Sequence, residues 1–103
     1  MGSFILTQQA KADLKAIARF TEKRWGRRQR DAYIKQFDDL FHMLANSPTI
    51  GKACDYIKAG YLKFPQASHI IFYRINPSKS IKIIRILHKN MDVISELAPI
   101  MRP

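Results

Sequence analysis

The segment from Ile81 to His88 constrains the fold of this chain most strongly, because it reads as a β-strand with apolar residues on both faces. Taken in steps of two, its residues divide into Ile81, Ile83, Arg85 and Leu87 on one face and Lys82, Ile84, Ile86 and His88 on the other. A strand with one face in water should instead alternate apolar and polar residues. A chain of 103 residues has too few helices to cover both faces of a sheet. We therefore expect a partner to cover one face, which favours a binding protein over a self-contained enzyme.

Periodicity and turn residues predict an α+β fold in the order β-α-α-β-β-β. Thr7 is placed to cap a first helix, Gly26 to end it, and Pro48 to end a second helix, so the two form an αα-hairpin. The expected strands are a short edge strand over residues 3–6 and three antiparallel strands over residues 61–64, 69–75 and 80–88, joined by short turns. We expect one domain over residues 1–103, with 93–103 as a tail whose weak helical pattern is broken by Pro99.

The charge balance favours anionic partners. Eighteen Lys and Arg residues against eight Asp and Glu residues give a formal net charge of +10. Four cations recur at four-residue spacing along the first helix: Lys11, Lys15, Arg19 and Lys23. They indicate either a docking surface for acidic protein or phosphate, or a solvated outer face opposite the core. Trp25 fits the core stripe of this helix, so no aromatic residue is expected among the cations to stack on nucleic acid bases.

Few catalytic chemistries fit the sequence. The histidines lie far apart with no cysteine or carboxylate at ligand spacing, which predicts no metal site and no cofactor. Cys54 has no neighbouring histidine and reads as a passive side chain rather than a nucleophile. Metal-free RNA cleavage by basic and tyrosine side chains of the sheet stays open. The candidates for it are Tyr61, Lys63, His69, Tyr73, Arg74, Arg85 and His88.

The single cysteine excludes an internal disulfide and fits a reducing compartment. The apolar start of the chain is too short for a signal peptide, and no apolar run is long enough to cross a bilayer. These features predict a cytoplasmic protein.

Seven segments, in order, resemble the ParE branch of the RelE/ParE toxin superfamily of bacterial toxin–antitoxin pairs. They are Leu6-Thr7-x-x-Ala10-Lys11-Ala12-Asp13-Leu14, Arg24-Trp25-Gly26, Ala32-Tyr33-x-x-x-Phe37, Pro48-x-Ile50-Gly51, Gly60-Tyr61-x-Lys63-Phe64-Pro65, Ser68-His69-x-Ile71-Phe72-Tyr73 and Ile84-Arg85-Ile86-Leu87-His88-x-x-Met91-Asp92. The resemblance spans residues 4 to 92 and implies the same β-α-α-β-β-β fold.

The two branches of the superfamily imply different activities. RelE-type toxins cleave messenger RNA in the ribosome with basic residues and a C-terminal tyrosine. In this chain Ile70 and Asn90 align with two of the nuclease arginines, the tail after Val93 has no tyrosine, and only Lys63 has a clear counterpart. The resemblance therefore implies a ParE-type toxin that poisons DNA gyrase without being an enzyme. A ribosome-dependent mRNA endonuclease of RelE type is the alternative.

The resemblance also implies two partners, DNA gyrase and a ParD-like antitoxin with an acidic, amphipathic C-terminal segment. DNA is then expected to be contacted only through the antitoxin or gyrase complex. For gyrase binding we select the end of the last strand and its surroundings: Lys63, Arg85, His88, Lys89, Met91 and Asp92. For antitoxin binding we select the basic first helix and the apolar sheet face: Lys11, Lys15, Arg19, Ile84 and Ile86. A purely structural role is the alternative for two of them, with Arg85 pairing to Asp92 and His88 capping the sheet end.

Overall fold

The computed structural model, which describes residues 2–101, confirms the predicted α+β fold. Its elements are β1 (Phe4–Leu6), α1 (Gln8–Trp25), α2 (Arg27–Asn46), a 3₁₀ turn (Pro48–Ile50), β2 (Lys52–Ala53), β3 (Tyr61–Gln66), β4 (His69–Ile75), β5 (Ile81–His88) and α3 (Val93–Met101). Thr7 caps α1 as predicted, because its hydroxyl accepts a hydrogen bond from the Ala10 amide at 3.0 Å. Gly26, with φ of 95°, joins α1 to α2 in a conformation that favours glycine.

The strands form one mixed sheet in the order β1-β5-β4-β3-β2. The two predicted hairpins are antiparallel: β3 pairs with β4, and β4 with β5. β1 runs parallel to β5 at one edge, and the two-residue β2 extends the other edge from within the predicted loop. The end of β5 thus lies beside the start of β4, where His88 pairs with His69.

The αα-hairpin packs on one face of the sheet and forms the larger core. Ala10 and Ile17 of α1 and Phe37 and Phe41 of α2 are buried there. The sheet contributes Ile71, Tyr73, Ile81, Ile83 and Ile86 to the same core.

The other face of the sheet is covered by the chain itself, so the expectation that it waits for a partner is wrong. Leu97 of α3 is fully buried there with Cys54, Phe72 and Leu87. The helix α3 runs through Pro99, although the sequence suggested that the pattern breaks there. Apolar residues flanking the proline, Ile100 among them, pack on this second core. That burial offsets the hydrogen bond that proline cannot make.

A β-bulge explains why β5 carries isoleucine on both faces. The register with β4 shifts between Phe72 and Tyr73, so that Phe72 pairs with Arg85 and Tyr73 pairs with Ile83. Ile84 is the extra residue. Such an insertion interrupts the alternation of side chains. The predicted division in steps of two is therefore wrong beyond Ile84: Leu87 belongs to the second core together with Ile84, whereas Ile86 belongs to the core under the αα-hairpin together with Ile83.

Replacing Leu97 by alanine should lower the free energy of unfolding by about 2–4 kcal/mol, because it leaves a cavity in the second core. The matched control is Ile94→Ala in the same helix, where the side chain is 50% exposed and the change should stay near 0.5 kcal/mol. Urea denaturation followed by circular dichroism measures both. Equal effects of the two substitutions would contradict the packing of α3 on the sheet.

Candidate functional site

An ion pair between α1 and β5 sets the geometry at the end of the sheet. Arg85 donates to Asp13 through two nitrogens, Nε to Oδ2 at 2.8 Å and Nη2 to Oδ1 at 2.9 Å. Both side chains are largely buried, at 16% and 15% exposed. The guanidinium also lies 3.8 Å from a carboxylate oxygen of Glu96 in α3. The hydrogen bond to Asp13 raises the pKa of Arg85, so the arginine stays charged.

Thr7, which caps α1, and Asp13 within α1 also bind backbone groups at the bulge of β5. The Thr7 hydroxyl donates to the carbonyl of Ile84 at 2.7 Å, and Asp13 accepts from the amide of Ile86 at 2.9 Å. A bulge interrupts the ladder of strand hydrogen bonds, and unpaired backbone groups in a core are costly. The bulge therefore depends on residues more than seventy positions away in the chain.

Beside this ion pair, an open and mainly apolar groove of about 350 Å³ lies between α1 and the end of the sheet. We call it the histidine groove; its lining residues are Asp13, Ala16, Ile17, Phe20, His69, Ile86, His88 and Met91. It continues past Phe20 and the two histidines into a second depression of about 240 Å³, which Trp25 and Tyr33 also line. The two depressions therefore adjoin each other along α1.

His69 and His88 line both depressions and contact each other. The rings of His69 and His88 meet edge to face with centroids 5.4 Å apart. Nδ1 of His69 shares a hydrogen bond of 2.9 Å with the Tyr33 hydroxyl, and Nδ1 of His88 accepts from the Asn90 amide at 3.1 Å. Burial holds the pKa of His69 below its usual value, and the neighbouring His88 acts in the same direction; Asp13 opposes them.

The residues selected for gyrase binding divide between the groove and other places. His88 lines the groove and Met91 stands at its rim with 47% of its surface exposed. Lys89 is exposed in the adjoining turn, where its amide donates to the Ser68 carbonyl. Lys63 lies elsewhere, on β3, where its ammonium group donates to the Tyr56 hydroxyl at 3.1 Å.

The structural alternatives for Arg85 and His88 are resolved in part. Arg85 does have a structural partner, but that partner is Asp13 and not Asp92 as the sequence suggested. Asp92 instead accepts from the Ser95 amide at 3.2 Å, in the first turn of α3. His88 binds the turn after β5, as a residue that caps the sheet end would.

The residues selected for antitoxin binding also fall into two groups, exposed cations of α1 and buried isoleucines of β5. Lys11, Lys15 and Arg19 are exposed on α1 and form no salt bridge within residues 2–101. Ile84 and Ile86 are buried, one in each core, because α3 and the αα-hairpin cover them. The isolated chain therefore does not offer either isoleucine as a free apolar face.

Sequence reasoning did not identify Phe20 and placed Trp25 in the wrong environment. Trp25, predicted in the core, is 65% exposed, and Phe20 is 66% exposed. The helix stripe that holds Ile17 and Thr21 in the core ends before Trp25, since the chain turns at Gly26 and α2 leaves the tryptophan uncovered. The exposure of Phe20 follows the helical period, because it lies outside the buried stripe.

Within residues 2–101 no three His, Cys, Asp or Glu side chains are grouped so that they could hold a metal ion. In the same part of the chain, none of the helices combines the length and the apolar character needed to span a bilayer.

Comparison with known proteins assigns the class. The family described as the ParE toxin of the type II toxin–antitoxin system parDE matches residues 4–93. Toxin ParE1 of Mycobacterium tuberculosis (strain H37Rv) is 38% identical over 90 residues, covering 87% of this chain and 92% of that protein. Toxin ParE1 of Caulobacter vibrioides is 34% identical over 97 residues, covering 94% of this chain and 99% of that protein.

Solved structures agree in fold. A chain of the chromosomal ParDE system from P. aeruginosa superposes with a TM-score of 0.72 at 21% identity, covering 85% of this chain and 96% of that one. A chain of the RelBE2 toxin–antitoxin complex from Mycobacterium tuberculosis gives 0.64 at 19% identity, covering 84% and 96%. The fold is therefore shared with chains of both systems. The family match and the two relatives show that the chain belongs to the ParE toxin family of type II toxin–antitoxin systems, within the RelE/ParE superfamily.

Removing the carboxylate of Asp13 should destabilise the protein by about 3 kcal/mol, because Asp13→Ala leaves the arginine largely buried without its partner and the Ile86 amide without an acceptor. The matched control is Asp39→Ala, which breaks the exposed pair of Asp39 with Lys35 and should cost about 0.5 kcal/mol. Urea denaturation distinguishes the two. A loss for Asp13→Ala no larger than that of the control would contradict the structural role of the pair.

Lowering the pH from 7.5 to 5.5 should reduce stability through His69. Since the folded pKa of His69 lies below the usual value of about 6.5, the unfolded chain takes up more protons as the pH falls. The contribution of neutral His69 to the free energy of unfolding is therefore complete above the pKa that this histidine has in the unfolded chain. It is lost as the pH falls below that value. Urea midpoints measured across this range should shift less for His69→Gln than for the wild type. An unchanged pH dependence of the urea midpoint in His69→Gln would refute the assignment.

Proposed function

We propose that this protein is a gyrase-directed toxin that acts by binding rather than catalysis and that a ParD-like antitoxin neutralises it. Membership of the ParE toxin family supports the toxin role, and the resemblance of the sequence to gyrase-poisoning toxins supports the target. The observation that carries the proposal is the histidine groove. Its apolar floor, exposed rim and surrounding cations form a surface suited to protein partners.

For the target contact we choose the rim of the groove at the end of β5. Lys89 and Met91 are exposed there, beside the ring of His88. An exposed methionine next to a cation combines an adaptable apolar anchor with electrostatic steering. We retain His88 and Asp92 as neighbours of this contact. Arg85 is better placed to hold the strand against α1, since its guanidinium is already bound by Asp13.

For the antitoxin we choose the groove itself with the exposed cations of α1. An acidic, amphipathic segment would place its apolar residues against Ile17 and Phe20 and its carboxylates near Arg19 and Lys23. Such a segment would lie beside Met91, where the target contact is proposed. Neutralisation would then follow from covering the target surface, with no change of conformation in the toxin.

The position of polar side chains argues against the mRNA endonuclease alternative. Acid–base cleavage needs several groups within hydrogen-bond reach of one phosphate. Tyr61 is buried in the core under α3, whereas Tyr73 lies in the core under the αα-hairpin and donates to the Pro48 carbonyl at 2.7 Å. Ile70 packs against the core under α3 at a position where the nucleases carry an arginine. Tyr61 and Tyr73 thus lie apart from each other and from the His69–His88 pair. A phosphate clamp without its arginines also loses charge stabilisation.

Purified protein should inhibit gyrase supercoiling of relaxed plasmid and cause linear DNA to accumulate after denaturation. The double variant Lys89→Ala/Met91→Ala should raise the half-inhibitory concentration at least about tenfold, the effect of losing one binding hot spot. Lys52→Ala, at the opposite edge of the sheet on β2, is the control and should inhibit like the wild type. Circular dichroism confirms that each variant is folded.

If gyrase stayed unimpaired in the presence of folded wild-type protein, the proposal that gyrase is the target would be wrong. A translating extract is then the next system, and cleaved transcripts there would favour the endonuclease of RelE type. Inhibition that persists in the double variant would leave gyrase as the target but remove the contact from this rim.

A further inference from the structure

The turn between α1 and α2 concentrates cations that the protein does not neutralise. Both nearby carboxylates, Glu22 and Asp31, bind the same arginine, Arg30. The remaining cations of the turn are exposed and form no salt bridge within the described residues 2–101. We call this set the basic turn; it consists of Arg19, Lys23, Arg24, Arg27 and Arg28.

Two of these arginines stand where helix electrostatics opposes them. Arg27 and Arg28 occupy the first turn of α2, which contains no acidic residue. The N-terminus of a helix carries partial positive charge and favours anions, so cations there are unfavourable. Neither side chain is buried against the protein, and packing therefore gives no reason for the placement. Binding of an external anion would account for the position of both arginines.

The basic turn also carries two exposed aromatic rings. Trp25 and Phe20 are each about two-thirds exposed, and the guanidinium carbon of Arg24 lies 5.6 Å from the centroid of the tryptophan ring. Both rings line the second depression of the groove. The sequence had placed Trp25 in the core, and that placement was the objection to a base-stacking surface. The structure removes the objection.

We propose that the basic turn binds single-stranded nucleic acid directly, with its arginines on the phosphates and with Trp25 and Phe20 stacked on unpaired bases. Four of the five cations are arginine, which pairs with phosphate through a planar fork. Unpaired bases are specified because a duplex keeps its bases stacked internally, out of reach of a surface ring. The acidic segment proposed above would cover Phe20 and pair with the cations, but it gives no role to Trp25, which lies beside Arg24. The inference goes beyond the gyrase proposal and does not depend on it.

Because Trp25 is the single tryptophan of the chain, its fluorescence reports directly on stacking. Titration with an oligothymidylate of roughly ten nucleotides should quench this fluorescence at low salt. The logarithm of the binding constant should fall linearly with the logarithm of the salt concentration. Anisotropy of a labelled oligonucleotide measures the affinity of variants that lack the tryptophan.

Arg27→Ala/Arg28→Ala should weaken binding at least about tenfold and make the salt dependence shallower by roughly one phosphate contact per arginine. Trp25→Ala should also weaken binding at least several-fold, at unchanged net charge. The control Lys52→Ala/Lys79→Ala removes the same charge from two exposed lysines outside the basic turn and should bind within about twofold of the wild type.

Three results would overturn the proposal. Equal losses in the arginine variant and the lysine control would assign the affinity to the overall charge of +10. Duplex DNA that binds as tightly as the single strand, with the fluorescence of Trp25 unchanged, would exclude stacking. Polyglutamate that binds more tightly than the oligonucleotide at matched charge would assign the turn to an acidic protein.

The supercoiling assay separates this proposal from the proposed function. A toxin that still inhibits gyrase but fails to bind the oligonucleotide would sink the nucleic acid contact alone. A toxin that binds the oligonucleotide through the basic turn but leaves gyrase unaffected would sink the gyrase target and support the contact.

Discussion

The carboxylate of Asp13 connects the parts of this protein that the sequence keeps far apart. It accepts from two nitrogens of Arg85 and from the amide of Ile86, and Arg85 in turn reaches Glu96. One largely buried carboxylate thus fixes α1 against β5 and links both to α3. Charge-assisted bidentate bonds of this kind define geometry more closely than apolar packing does. The position of α1 over the sheet end, and with it the width of the histidine groove, follows from this contact.

The bulge held by Thr7 and Asp13 lets a single strand supply two cores. Without it, every second residue of β5 would face the same layer, and Ile86 would fall on the side of Ile84 and Lys82. With it, Ile86 packs beneath the αα-hairpin while Ile84 packs beneath α3. A small protein gains buried surface in this way, because the strand contributes apolar contacts to both layers. Ile84, one of the isoleucines that suggested a missing partner, instead forms part of the core on which α3 docks.

Local signals predicted the elements, and long-range contacts account for what they missed. Caps and turn residues such as Thr7, Gly26 and Pro48 act within a few residues, so the helix boundaries and the order of strands followed from the sequence. The bulge depends on Asp13, 73 residues before Ile86, and no periodicity of the strand itself encodes it. The docking of α3 was missed because Pro99 weighs against a helix locally, whereas burial of Leu97 decides it globally. For the candidate site, the motif selected the strand end with His88 and Met91, and this selection stays a prediction. That Phe20, Trp25 and His69 line neighbouring depressions with His88 could be known only from the tertiary arrangement.

The two proposed surfaces meet at Phe20 and the histidines, which line both depressions along α1. An acidic segment seated in the groove would therefore extend toward the basic turn and bring carboxylates beside Lys23 and Arg24. It would compete with nucleic acid for the same cations while it covered Met91 at the other end. Internal salt bridges would neutralise these cations and weaken their attraction to either partner. The uncompensated charge on α1 is thus consistent with a protein that must bind tightly to more than one anionic partner, one at a time.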